Sequence, residues 1–156
     1  MKAKRSLAVF SLLLCLTVAF IFSQSMLDKQ ASAAQSGWVT AVLHQLLDPQ
    51  GSIPAETFHH WIRKTAHFVE FAALGMVTLG FVWNLEILTQ RSWQILKLYL
   101  PLAVAVADEY IQYFTGRGSQ VTDVVLDYAG ALTGLGAAWL LVLLLRKIKK
   151  ANGLGG

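Results

Sequence analysis

Charge is scarce in this sequence. Asp, Glu, Lys and Arg make up 14% of its 156 residues, against about 25% in an average water-soluble domain. A soluble helical bundle needs polar outer faces, and most of this chain has none to offer. Cysteine is scarcer still: Cys15 is the only one, so no internal disulfide can form. It lies in the apolar stretch LLLCL, without the small residue that a lipoprotein cleavage site places before its cysteine, and reads as a small packing residue. The basic residues form no face or stripe, so a net charge of +4 does not point to nucleic acid. Internal repeats and low-complexity segments are lacking as well.

What the sequence does contain is apolar runs. Four stretches, roughly 7–22, 68–88, 95–114 and 124–145, raise the hydrophobic share to 55%. Each approaches the ~20 residues that a helix needs to cross ~30 Å of hydrocarbon. The expected fold is therefore all-α: a polytopic membrane protein with a single domain over 1–156 and a bundle of four transmembrane helices near 6–23, 64–88, 94–114 and 123–145. Its first partner is the lipid bilayer. Lys2, Lys4, Arg5, Arg91, Lys97, Arg146, Lys147, Lys149 and Lys150 gather on one side of that topology, nine of the thirteen Lys and Arg. The positive-inside rule then puts both termini in the cytoplasm of a multi-pass protein in the cell membrane. The first run also has features of a secretory signal, with Ala31-Ser32-Ala33 as an A-x-A site. Its 16 apolar residues and the long gap to that site favour a retained anchor.

The outward link, 24–60, carries its own pattern. Trp38, Val39, Val42, Leu43, Leu46 and Leu47 recur at helical spacing, which predicts a short amphipathic helix near 37–47. It either lies in the outer headgroup layer with Trp38 as an anchor or packs over the mouth of the bundle. Asp48-Pro49-Gln50-Gly51 reads as a turn, Ser52 as a helix N-cap, and Pro54 suits a first helical turn. A helix starting there places Glu56, His60, Arg63, His67 and Glu70 within an arc of about 80°. His59 and His60 read as interfacial polar residues.

Beyond a short link at Gln90-Arg91-Ser92, the third membrane run contains Pro101, where a kink is tolerable, and ends in Asp108-Glu109-Tyr110-Ile111-Gln112. Residues 115–118 supply a glycine turn, and Thr122 is a candidate N-cap for the last helix. On that helix Asp123, Asp127, Gly130, Gly134 and Ala138 share a face, and small residues at this spacing let helices approach closely. Glu109 and Asp127 are each expected about 7–8 Å inside their helix ends. Five of the nine acids, Glu70, Asp108, Glu109, Asp123 and Asp127, thus fall in one layer near the outer surface. Ionisable groups cost roughly 2.5–3.5 kcal/mol each at a helix centre, so they are expected to face one another or a watered cavity.

These polar positions resemble a known family, the VanZ-like membrane proteins. The likeness is carried by Arg63-Lys64-Thr65-Ala66-His67-Phe68-Val69-Glu70, by Asp108-Glu109-Tyr110-Ile111-Gln112, and by Gly116-Arg117-Gly118-Ser119 followed by Asp123-Val124-Val125-Leu126-Asp127-Tyr128-Ala129-Gly130. Phe22-Ser23-Gln24-Ser25 is similar to the family's Ser-rich exit from the first helix and favours its retention. The resemblance spans about residues 7–145 and implies a bacterial envelope protein linked to teicoplanin, that is glycopeptide, resistance. It implies no particular reaction.

Three readings of the layer stay open. In the first, Arg63, Lys64, His67 and Arg117 neutralise the carboxylates in a structural network. In the second, the protein is an enzyme at the outer leaflet. His67, Glu70, Asp108, Glu109, Asp123 and Asp127 are then the candidate catalytic groups, with Glu70 orienting His67 as a general base one helical turn away. Arg63, Lys64, Gln112 and Arg117 would hold a phosphate-bearing, lipid-linked substrate, Arg117 bidentately. A metal would draw on His67, Glu70 and Glu109, a mixed N/O set, although no H-E-x-x-H spacing supports one and no cofactor is named by any motif. In the third, the same site binds an envelope lipid, a glycopeptide antibiotic or a partner protein without chemistry. A transporter fits poorly, because no polar residues lead through the cytoplasmic half.

Overall fold

A computed structural model describes residues 2–27, 29–116 and 120–151, with side chains described over 3–27, 37–116 and 120–151. Among these residues the fold is entirely helical: α1 (Lys2–Ser25), α2 (Lys29–Leu47), α3 (Ala55–Thr89), α4 (Gln94–Phe114) and α5 (Val121–Ala151). Three of them, α1, α3 and α5, are long and apolar enough to cross a membrane. The fourth expected span, α4, matches its anticipated bounds but carries Lys97, Asp108 and Glu109 within 21 residues. Its own site residues dilute its apolar character.

The bundle is centred on α3, which packs most extensively against α5 and next against α1, while α4 closes against α1, α3 and α5. The α3–α5 seam is set by small residues. A Cβ at Gly134 would meet the backbone of Ala72, one at Gly130 the backbone of Phe68, and one at Gly75 the backbone of Ala131. The expected small-residue face is therefore matched by a glycine on α3. Where no hydrophobic force drives helices together inside lipid, this close approach lets dispersion do so. Phe71, Leu74, Ile21, Val104, Ala105 and Ala131 form the buried core between α1, α3, α4 and α5. Leu140, Leu141 and Leu144 on α5 and Leu12, Leu16 and Phe20 on α1 are exposed, as lipid-facing side chains should be. Cys15 is exposed too, on the same helix as these lipid-facing side chains.

Helix α2 begins earlier than its apolar pattern suggested, because Ala31, Ala33 and Ala34 extend it with strong helix formers. The A-x-A segment is thus helical. Of the bundle helices, α2 packs chiefly on α3. Its apolar face is bare: Trp38, Val42 and Leu46 are all exposed. The expected turn follows, with the Gly51 N–H donating to the Asp48 carbonyl at 3.0 Å and Gly51 at a φ of 63°. Two capping expectations are corrected. Ser52 does not cap α3; Pro54 occupies the cap position and supplies no side-chain bond. The Ser52 N–H instead donates to the Asp48 carboxylate at 3.0 Å, as does that of Ile53 at 2.6 Å. Thr122 lies inside α5, and it is the Gln120 carbonyl that accepts from the Asp123 N–H at 2.9 Å.

At the far end of the bundle, α3 stops at Gln90, whose φ is 52°. Glu86 then accepts from the Trp93 N–H at 2.9 Å and from Lys97 at 3.2 Å, holding the α3–α4 link closed. The Arg146 guanidinium stacks over Trp83, 4.6 Å from the ring centre. This is a cation–π contact of the kind that anchors a helix end at an interface.

Candidate functional site

Four chain segments meet at the opposite end. The C-terminal turn of α1, the first half of α3, the last two turns of α4 and the first two turns of α5 lie together there. Alternating direction makes this inevitable: α1 and α4 end where α3 and α5 begin. The α4–α5 turn brings the acids together, with Gly116 at a φ of 71°. Gly116 supplies the left-handed backbone that a side chain would disfavour. Arg117, assigned to phosphate binding from the sequence, falls outside the described residues.

At the centre is Asp108, fully buried. Ser25 Oγ donates to its Oδ1 at 2.6 Å and Gln112 Nε2 to its Oδ2 at 2.7 Å. His67 Nδ1 lies 3.9 Å from Oδ2. Asp127, 1% exposed, faces the same point from α5, and the Gly130–Gly134 seam below it holds α5 tight against α3. One donor atom from each of His67, Asp108 and Asp127 lies within 4.8 Å of the others. Asp127 Oδ2 is buried and has no hydrogen-bond partner among the described residues.

Around this centre is a small cleft lined by Arg63, Lys64, His67, Glu109, Gln112, Asp123, Leu126 and Asp127. It offers about 10 Å³ to the centre of a water-sized particle, room for about one water. At its rim Lys64 Nζ meets Asp123 Oδ1 at 2.7 Å. Glu109, although 4% exposed, has a task in the turn: its Oε2 accepts from the Gln120 N–H at 3.0 Å.

Of the residues expected at the site, Arg63, Lys64, His67, Glu109, Gln112, Asp123 and Asp127 share the cleft and Asp108 lies at its buried edge. Glu70 lines a different place, the apolar groove between α1 and α3 formed with Leu13, Leu16, Phe20 and Val69. Among the candidate metal ligands, only His67 belongs to the three-residue cluster; Glu70 and Glu109 are replaced there by Asp108 and Asp127. Ser25 is the residue that sequence reasoning missed. It formed part of the Ser-rich exit motif, yet a hydroxyl ending an apolar run and followed by a polar link gave no reason to place it at the centre. Its burial at 0% does. Thr115 Oγ1, 3.1 Å from the Ser25 carbonyl, ties the same two helix ends together.

The VanZ/LLP1 family model matches residues 9–144, from α1 through α5. The chain belongs to the VanZ/LLP1 family. No curated protein and no solved structure matches it. The VanZ/LLP1 match covers every residue of the cleft, so the polar centre sits within the family domain and not in an appendage to it.

The VanZ/LLP1 chain is a membrane protein by its apolar helices. Aromatic side chains mark the level of the site. Tyr110, Tyr113 and Phe114 are exposed at the end of α4, in edge-to-face contact at 4.9 and 5.4 Å, and Trp61 is exposed on α3. Aromatic residues collect at the headgroup level, and a second group, Trp83, Trp93 and Trp139, belongs to the other end. From Asp123 to Trp139 along α5 is about 24 Å at 1.5 Å per residue, close to a hydrocarbon thickness.

Proposed function

We propose that this protein crosses the membrane four times, α4 being the fourth span, with both termini in the cytoplasm and the cleft opening into the outer leaflet. There it binds the polar headgroup of an envelope lipid. The observation carrying this reading is the cleft itself, in which cationic Arg63 and Lys64 stand at the rim above buried carboxylates and the Gln112 amide, at the depth of the exposed aromatic belt. Arg63 is suited to a headgroup phosphate, and Gln112 to a neutral oxygen. The cleft itself holds about one water, so a headgroup phosphate would bind at its rim, on Arg63 and Lys64, and resistance to teicoplanin would act through the envelope lipid. Helix α2, with Trp38, Val42 and Leu46 bare, lies in the outer headgroup layer beside the mouth. The first helix is retained in this reading, since Ile21 and Ser25 belong to the core and the site.

The proximity of His67 to Asp108 supports a second reading, a membrane-embedded hydrolase or transferase acting on a lipid-linked substrate. Here Asp108, 3.9 Å from His67 Nδ1, joins Glu70 as a candidate to orient His67 as the general base. Native mass spectrometry separates binding from its absence. Protein released from phosphatidylglycerol-containing nanodiscs is expected to retain lipid, and Arg63→Gln to retain severalfold less with unchanged thermal stability. Equal retention by both would defeat the headgroup reading.

A further inference from the structure

We propose that His67, Asp108 and Asp127 form a binding site for one divalent first-row transition ion of the zinc class. The three ligands come from α3, α4 and α5, which makes the ion a clasp between three helices. This assignment goes beyond headgroup binding, and either can fail without the other.

Geometry is the first support. A donor atom from each residue lies within 4.8 Å of the other two, and His67 Nδ1 is 3.9 Å from Asp108 Oδ2. Ligands 2.0–2.2 Å from a zinc ion stand roughly 3–3.5 Å apart, so closure needs side-chain adjustments of about an ångström. The second support is Asp127 Oδ2, buried and unpartnered among the described residues. A buried carboxylate oxygen left without a donor is costly, and a cation satisfies it more completely than a water.

Charge gives the third support. Asp108 and Asp127 are both buried and face one point, and two carboxylates sharing a site need a proton or a cation between them. Of the two basic residues lining the cleft, Arg63 and Lys64, the lysine is already held by Asp123. A divalent ion with two carboxylates and a neutral imidazole makes a centre of zero net charge, suited to membrane depth. Ser25 and Gln112 already hold Asp108 by hydrogen bonds, an outer shell of the kind that orients metal ligands.

The donor set chooses the class. Magnesium and calcium take oxygen ligands, whereas an imidazole with carboxylates suits zinc and its neighbours. His67 and Asp127 also line the cleft, whose water-sized space supplies a fourth ligand position. Three protein ligands with one open position is the arrangement of zinc sites that activate a water.

The test uses the full chain, without a histidine tag and carrying Cys15→Ser, stripped of metal in detergent and titrated with Zn2+. Equimolar Zn2+ is expected, undisplaced by a large excess of Mg2+. Asp127→Asn and His67→Gln should weaken binding by more than the roughly 10–100-fold typical of outer-shell changes, whereas His60→Ala should not. Helix content by circular dichroism should be unchanged in both site variants. Zinc uptake that survives Asp127→Asn, is lost in His60→Ala, or yields to Mg2+ overturns the assignment. Should Asp127→Asn misfold, X-ray absorption of the Zn2+-loaded parent decides: one imidazole with oxygen ligands supports the site, and two or more imidazoles overturn it.

Discussion

Ser25 Oγ donates a 2.6 Å hydrogen bond to Asp108 Oδ1 at a position closed to solvent, joining residues 83 apart in the chain. The bond makes α1 part of the site and not merely its tether. Hydrogen bonds to charged groups contribute about 1.5–3 kcal/mol, and more is lost when the remaining partner stays buried. Ser25→Ala should therefore destabilise the protein by about 2–3 kcal/mol, as read by chemical denaturation in mixed micelles. Loss below about 0.5 kcal/mol would mean that Asp108 does not depend on α1.

The helix seam predicts a contrast between two glycines. At Gly134 an added Cβ meets the Ala72 backbone, which cannot move aside, whereas at Gly136 nothing lies within 4 Å. Gly134→Val should force α3 and α5 apart, costing at least the 1–3 kcal/mol of ordinary overpacking. Gly136→Ala should be neutral or stabilise by up to about 1 kcal/mol, the helix-propensity gain. Thermal unfolding of the two variants side by side would check this. Since Asp127 sits one turn above the seam, Gly134→Val should also disturb the cleft.

These residues show what sequence can and cannot disclose. Apolar run length and small-residue spacing are local properties, so the helices and the Asp127–Gly134 face were legible before any coordinates. The bounds of α4 were anticipated because Gln94 and Phe114 sit at sharp changes of polarity. Helix caps were not, since Ser52 and Thr122 have the right chemistry at the wrong backbone position, Ser52 ahead of the cap residue Pro54 and Thr122 inside α5. At the site, spacing identified which residues are polar and deep, but spacing along one helix cannot say which helix each faces. Hence the donor cluster joins His67 to Asp108 and Asp127, while Glu109 lines the same cleft and Glu70 borders the α1–α3 groove. Ser25 required the third dimension.

The α2–α3 loop should respond to acid. Backbone N–H groups of Ile53 and Ser52 hold the Asp48 carboxyl below its usual 3.8. A carboxyl with a lowered folded value contributes stability that is complete above its unfolded value and is lost as pH falls through the folded one. The loop should thus keep its geometry to below pH 3.8 and loosen only under more acid conditions. Amide chemical shifts of Ser52 and Ile53 would report this, moving together below pH 3.8. Asp48→Asn should remove the transition, and a midpoint above the ordinary aspartate value would contradict the assignment.

The rim pair distinguishes a structural network from a binding site. Lys64 and Asp123 are joined at 2.7 Å, yet their side chains remain 30% and 18% exposed. A pair so placed keeps part of its hydration, and exposed ion pairs couple by about 0.2–1 kcal/mol in double-mutant cycles. Lys64→Met, Asp123→Asn and the double variant should therefore reveal a coupling in that range by chemical denaturation. At such a value the pair does little for folding, and Lys64 can exchange Asp123 for a headgroup phosphate at small cost. Lipid retention by Lys64→Met should then fall well beyond its effect on stability. A coupling of 3 kcal/mol or more, the scale of a broken buried pair, with lipid retention unchanged would instead make the rim a structural lock, and the headgroup reading would lose one of its two cations.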